Sequence, residues 1–484
     1  MSDAIARLEP RSLWKHFAAL NAIPRPSKKE GKVIDFMMDF AASLGLEASR
    51  DAVGNVLVRK PASPGMEDRK TLVLQAHLDM VHQKNNDTDF DFEAGGIRMY
   101  TDGDWVRAKG TTLGADNGLG VAAIMGVLAS NAIPHPPLEA LFTIDEETGM
   151  TGAKGLSPDL LKGEILLNLD TEQDDTLEIG CAGGIDVTGT GKYTPVPTGE
   201  GHTGFRLRVK GLLGGHSGMD IHKGLANANV LIARILMAAW EQGRFSLSEL
   251  HGGNLRNAIP RESEAVLAVP KAGKADFREA VEGEMAAILE EFGPREPGLQ
   301  LLLEDIPAPG PGMGPEAVKT LLSCLCGLHH GVYAMNQEFP GLVETSNNVA
   351  QVSVQNGEIR IGCLTRSARE SSKANLVRKL RAVFSLAEYR TETSGEYPGW
   401  LPDPSSEILS LLSRRYEALF GQPPVVGASH GGLECGILKH HYPEMDMVSF
   451  GPTILGAHSP DERASVSSSQ KFWKLLLDVL EHTP

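Results

Sequence analysis

The chain has 484 residues, too many for one ordinary core, so two domains are expected, with one inserted in the other as an arrangement to consider. Hydrophobic content of 41% and charged content of 22% describe a globular protein, and no apolar run approaches the ~20 residues of a membrane helix. A net charge of −16 argues against a nucleic-acid partner, which needs basic patches to displace counterions.

The start, "MSDAIARLEPRSLWKHFAAL", is charged and amphipathic and lacks the apolar block of an export signal, so a cytoplasmic location is expected. Five cysteines, Cys181, Cys324, Cys326, Cys363 and Cys435, are odd in number and have no zinc-finger spacing, which fits reduced thiols. Over the first ~185 residues, strand and helix patterns alternate. "GKVIDFMMDFAASLG" and "ADNGLGVAAIMGVLAS" read as helices, while "NVLVRK", "TLVLQAH", "LEALFTIDEE" and "EILLNLD" read as strands. This predicts an α/β layer with a mostly parallel sheet. From about 187 to 394 the texture changes to α+β. "TGFRLRVKG", "EAVLAVP", "LQLLLED" and "VAQVSVQNGEIRIGCLTRS" are strand-like; "GLANANVLIARILMAAWEQ", "ADFREAVEGEMAAILEEF" and "ANLVRKLRAVFSLA" are helix-like, and the theme suggests two similar lobes. Beyond 395 the α/β texture returns with helix "SEILSLLSRRYEALFG", strand "MDMVSF" and helix "SSSQKFWKLLLDVLEHT". The expected organisation is therefore a domain formed by residues 1–186 and 395–484, split by an insertion at 187–394.

Several apolar strands end in groups that a core would reject. "TLVLQA" runs into His77 and Asp79, "LEALFTID" into Glu146 and Glu147, and "EILLNL" into Asp170, while "MDMVSF" leads through "GPTILGA" to His458. Asp116 stands at the start of the "DNGLG" helix, where by itself it would serve as an N-cap. In an open α/β sheet, sites form beyond the carboxyl ends of the strands. Carboxylates crowded there repel one another. Lysine and arginine are nearly absent from these motifs, so bound metal is the expected counter-charge. The mixed N and O ligands suit zinc, with cobalt or manganese as alternatives. Asp116, Glu147 and Asp170 with one hydroxide balance two divalent ions, which together polarise a carbonyl and generate hydroxide near neutral pH. Glu146 is left over as general base, and Asp79 to orient His77. No strand-to-helix turn carries a glycine phosphate cradle, which excludes a nucleotide-binding reading.

The pattern "HLD" at 77–79, "GADNG" at 114–118, "DEETG" at 145–149, "NLD" at 168–170 and "GAHSPDE" at 456–462 resembles the M20 family of co-catalytic metallopeptidases. "IPRPS", "QAHLDMV", "CAGGID", "GGHSG", "RNAIPRE", "YPGW", "GLECG" and "YPEMDMVSFGP" extend the resemblance over nearly the whole chain, to the aminoacyl-histidine dipeptidase branch. The resemblance implies a phosphorylase/hydrolase-like catalytic domain and an inserted α+β lid. It places His77 and Asp170 on one metal and Glu147 and His458 on the other, with Asp116 bridging and a cis peptide after it. Glu146 becomes the base and Asp79 the orienting acid. In the lid it assigns His216 to the scissile carbonyl and the oxyanion. Asn257, Arg366 and the backbone at Gly431 and Gly432 are weaker candidates for substrate contact, and His430 and Glu434 have no assigned role. The implied activity is hydrolysis of unblocked dipeptides, Xaa-His included, by metal-bound hydroxide. The alternatives are an N-acyl-amino-acid deacylase on the same scaffold and a non-catalytic metal-dependent binding protein. A homodimer is implied as well, while the long insertion leaves open whether His216 acts in cis or in trans.

Overall fold

A computed structural model describes residues 2–484. The chain divides into two compact units: residues 1–180, 402–428 and 433–484 form the first, and residues 181–401 with 429–432 form the second.

The first unit is built on an eight-stranded sheet in the order Glu47–Arg50, Val56–Lys60, Leu138–Thr143, Leu72–His77, Ile165–Asn168, Asp446–Ser449, Thr176–Cys181 and Val425–Ser429. The central four strands, Leu138–Thr143 to Asp446–Ser449, pair in parallel. Val56–Lys60 and Thr176–Cys181 pair antiparallel against this block. Glu47–Arg50 and Val56–Lys60 are joined by a turn too short for a crossover helix, and they pair as a hairpin. Every residue of Leu72–His77 and Leu138–Thr143 is buried, as parallel strands covered on both faces must be. Burying each of Leu72, Val73 and Leu74 contributes about 1.5–3 kcal/mol.

The helix Ala115–Ala129 is apolar all round and buried at thirteen of its fifteen positions. It packs between the strand Leu72–His77 and the helix Arg11–Leu20. The four parallel strands run side by side, so their carboxyl ends form one edge. The helix starts at the same level, because its N-terminal loop is bonded to the chain just past His77. This edge positions the site.

The second unit has eight strands in the order Gln300–Ile306, His202–Lys210, Ser263–Pro270, Ser246–Gly252, Val343–Gln355, Glu358–Ser367, Gly183–Lys192 and Arg390–Tyr397, with three short strands joined to them. The two stretches read as similar lobes in the sequence are halves of this one sheet, joined where Leu250 pairs with Val354. One apolar core lies beneath both halves, with Phe205, Leu236, Leu267, Val281, Leu321, Ile361 and Phe384 among its members. Cys324, Cys326 and Cys363 are free thiols. Among the described residues, no helix is long and apolar enough to cross a membrane.

Candidate active site

His77 closes its strand with a side chain only 1% exposed. Its Nε2 lies 3.1 Å from Asp116 Oδ1 and 3.5 Å from Asp170 Oδ1, and its Nδ1 lies 3.3 Å from Asp79 Oδ1. The second oxygen of Asp116 faces His458, whose Nε2 is 3.1 Å from Oδ2 and 3.0 Å from Glu147 Oε2. Two triads able to hold a cation therefore share one carboxylate: His77, Asp116 and Asp170 form one, and Asp116, Glu147 and His458 the other. Glu146 belongs to a third grouping with His77 and Glu147.

Asp116 does not cap its helix. The N-terminal position is Gly114, no side-chain cap bond forms, and Asp116 has non-helical dihedrals (φ −79°, ψ 114°) with a cis peptide to Asn117. Its carboxylate faces the two imidazoles instead of the helix amides, so the capping role that its position suggests is not used. The loop is held from elsewhere. Glu462, four residues after His458, accepts N–H bonds from Leu113 (2.6 Å), Gly114 (2.9 Å), Ala115 (2.7 Å) and Asp116 (3.3 Å). Beneath this loop lies Arg25, 1% exposed, donating to the carbonyls of Leu78 (3.1 Å), Asp79 (3.0 Å) and Gly114 (2.5 Å) and to Asn21 Oδ1. A Cβ at Gly114 would stand 2.6 Å from the Arg25 guanidinium, and φ there is +69°, so only glycine fits.

Asp79, fully buried, ties two segments of the site together. Its carboxylate accepts the amides of Glu146 (3.0 Å) and Glu147 (3.3 Å) and the Ser27 hydroxyl (2.8 Å), besides facing His77. The Glu146–Glu147 turn is braced from within by Asp145, whose carboxylate accepts the hydroxyls of Thr148 and Thr151.

The electrostatics describe groups under strong mutual pressure. Burial and then neighbouring Glu147 push Glu146 well above the ordinary carboxyl range. Burial and Asp116 raise Glu147 to about 7, and burial raises Asp170 against the pull of His77. Burial disfavours a charged His77, but Asp170, Asp116 and Asp79 carry it well above the usual histidine value. His458 is likewise driven up against its burial, to about 12, by Asp116 and Glu147. Glu147 Oε1 and Asp170 Oδ1 are buried without a hydrogen-bond partner. Lone pairs of that kind, in a donor set of imidazole and carboxylate with no thiolate, fit divalent metal.

The candidates from the inserted region cluster within the second unit. His216 lies on the short strand Gly215–His216, paired with Ala258–Ile259, and its Nδ1 accepts the amides of Gly218 (3.3 Å) and Met219 (3.1 Å). In the neutral ring the proton then sits on Nε2, 3.4 Å from Arg366 Nη2, so two donors stand side by side. Arg366 lies within the strand Glu358–Ser367 and is 4% exposed, not on a solvated loop. It donates to Ser217 Oγ (3.3 Å) and to the Tyr397 hydroxyl (2.9 Å). Asn257 is exposed, and its carbonyl accepts the Ser217 amide at 2.8 Å. Gly431 is not an open backbone donor: its N–H bonds Ser429 Oγ at 2.9 Å. Gly432 lies in the same 429–432 segment. His430 is buried, with Nε2 2.7 Å from Ser346 Oγ.

Sequence reasoning missed Arg25, Glu462, Ser217 and Tyr397 as parts of these clusters. All four fall in quoted motifs, Arg25 in "IPRPS", Glu462 in "GAHSPDE", Ser217 in "GGHSG" and Tyr397 in "YPGW", but nothing local distinguishes them from surface residues.

An α/β sheet with two groups able to hold a cation at its carboxyl edge, sharing one carboxylate, is the arrangement of a metallohydrolase. Residues 73–482 match the model of peptidase family M20/M25/M40, and the chain belongs to that family. It is 44% identical over 481 residues to the cytosol non-specific dipeptidase of Escherichia coli (strain K12), spanning 99% of each chain. It is also similar to the crystal structure of aminoacylhistidine dipeptidase from Vibrio alginolyticus, with a TM-score of 0.89, 44% identity, and 100% and 99% of the two chains covered. The aminopeptidase PepT from Bacillus cereus ATCC 10987 shares the fold at a TM-score of 0.58 and 16% identity, covering 98% of each chain.

Proposed function

We propose that the protein is a cytoplasmic, homodimeric dipeptidase that holds two divalent ions and hydrolyses unblocked dipeptides of broad sequence, Xaa-His included. The observation that carries this reading is the division of Asp116, with one oxygen toward His77 and the other toward His458. His77 and Asp170 hold one ion, Glu147 and His458 the other, and zinc suits this donor set, with cobalt or manganese as substitutes. When bound, the ions polarise the peptide carbonyl and acidify a water molecule.

The chain's own groups do the rest. Glu146, grouped with His77 and Glu147 and its backbone held by Asp79, takes the water proton and passes it to the leaving amine. Asp79 fixes the His77 ring and the Glu146 backbone. Residues 187–394 act as a lid, in which His216 Nε2–H steadies the oxyanion. Arg366, whose guanidinium has neutral hydrogen-bond partners in Ser217 and Tyr397, binds the free carboxylate of the dipeptide, with Asn257 and the Gly432 backbone contributing contacts. The 44% identity to relatives named as a cytosol non-specific dipeptidase and an aminoacylhistidine dipeptidase supports the substrate class and the location.

The test is a dipeptide panel run on chelator-stripped and then metal-reconstituted protein, each substrate with and without N-acetylation. Metal-dependent cleavage of the free dipeptides alone is expected. Preference for the acetylated forms would assign the deacylase reaction, and inactivity with zinc, cobalt and manganese would leave only metal-dependent binding.

A further inference from the structure

A second row of side chains crosses the sheet just below the ligands. Gln75, two residues before His77 and on the same face of its strand, is the register partner of Asn168, which lies two residues before Asp170. Asn168 is the register partner of Ser449, and Ser449 of Glu178. Four adjacent strands thus contribute one polar residue each at one level. Gln75, Asn168 and Ser449 are 0% exposed, as is Glu434, which closes the row beyond Gln75.

The row is hydrogen-bonded from end to end. Gln75 Nε2 donates to Glu434 Oε2 at 2.7 Å and to Thr143 Oγ1 at 3.0 Å, and the Thr143 hydroxyl donates to the same Glu434 oxygen at 2.5 Å. Asn168 Nδ2 donates to Gln75 Oε1 at 2.5 Å, and the Ser449 hydroxyl to Asn168 Oδ1 at 2.5 Å. Thr171 links Ser449 (2.7 Å) to Glu178 Oε2 (3.0 Å). A carboxylate accepts the last bond at each side of the row, Glu178 from Thr171 and Glu434 from Gln75 and Thr143.

Such a row is costly as packing. Buried amides and carboxyls cost free energy to desolvate, and apolar residues of similar volume often stabilise a core as well or better. What apolar residues lack is directional bonds that fix the height of one strand end against the next. We propose that the row is a positioning device for the metal centre, with Gln75 and Glu434 as positioning residues that hold the His77 and Asp170 strand ends at the spacing their shared ion requires. This rests on the two-metal reading above.

The experiment measures zinc affinity by competition with a chromophoric chelator, together with the melting temperature of the chelator-stripped protein, for wild type, Gln75→Leu, Glu434→Gln and Ser449→Ala. In Gln75→Leu the affinity for one ion should fall roughly 10–100-fold, the range seen when groups orienting metal ligands are removed, while the stripped protein melts within a few degrees of wild type. Glu434→Gln should show a loss of the same order. Ser449→Ala removes a single oxygen, should fold even where Gln75→Leu does not, and should weaken binding several-fold. Wild-type affinity in all three variants would overturn the proposal, as would lower melting temperatures with affinity unchanged. Failure of the two-metal reading is distinguishable, because the wild type itself would then fail to retain zinc.

Discussion

The carboxylate of Asp79 accepts the backbone N–H of Glu146 at 3.0 Å while its other contacts reach His77 and Ser27. One buried acid therefore sets both a ligand ring and the backbone of the base. Asp79→Asn keeps the shape but presents an amide, which in one orientation opposes the Glu146 N–H donor. Turnover should fall about 10–100-fold with a parallel loss of metal affinity. Glu146→Ala should separate the two, leaving metal content intact while turnover drops at least ~100-fold. Steady-state kinetics and metal analysis of both variants check this. Substantial residual hydrolysis by Glu146→Ala would remove Glu146 from the base role.

Glu462 is the acceptor for four consecutive amides of the Asp116 loop and the largest opposing charge for buried Arg25. Removing it leaves those amides unbonded and the guanidinium short of a counter-charge. Glu462→Ala should cost roughly 2–5 kcal/mol, since each buried group left without its hydrogen bond costs about 1–3 kcal/mol. Denaturant unfolding of the metal-free protein measures it. A loss below ~1 kcal/mol would show that the loop is held by other means.

Arg366 is the buried cation assigned to the substrate carboxylate. Charged hydrogen bonds of this kind contribute about 1.5–3 kcal/mol, so Arg366→Ala should lower kcat/KM for a free dipeptide roughly 10–150-fold. The same variant should treat a C-terminally amidated dipeptide much as wild type does. Equal losses on both substrates would place Arg366 elsewhere.

His430 gives the second unit a pH dependence. Burial, then Arg366, lowers its pKa from 6.5 to about 3. Between those values the unfolded chain binds a proton that the folded state does not. Stability is therefore intact above 6.5 and declines as pH falls, by about 1.4 kcal/mol per pH unit from this group. His430→Gln should remove that slope, which unfolding curves at pH 7, 6 and 5 would reveal. An unchanged slope would mean that His430 titrates normally.

The strand ends proposed to carry ligands were readable because a polar residue after an apolar run is a local signal, as in "TLVLQAH" and "EILLNLD". The change of texture that set the expected insertion at 187–394 is a pattern carried within each segment. Asp116 was ambiguous: a carboxylate at a helix start is usually a cap, and only its approach to His77 and His458 decides otherwise. Arg25, Glu462 and the Gln75 row were not readable, because their meaning lies in partners 53, 348 and 93 residues away in the chain, as between Arg25 and Leu78, Glu462 and Gly114, or Gln75 and Asn168. Gln75 in particular sits in a run otherwise made for the core, and no local pattern tells a satisfied buried amide from a misplaced one. The single sheet joining both halves of the second unit was hidden for a related reason, since strand pairing between distant segments leaves no mark within either.

The account turns on two ions sharing Asp116. Equilibrium dialysis against zinc followed by elemental analysis should give two equivalents per wild-type chain, and His458→Ala should retain one, on the triad of His77, Asp116 and Asp170. A wild-type chain that binds one equivalent or none, or a His458→Ala chain that still binds two, would contradict it.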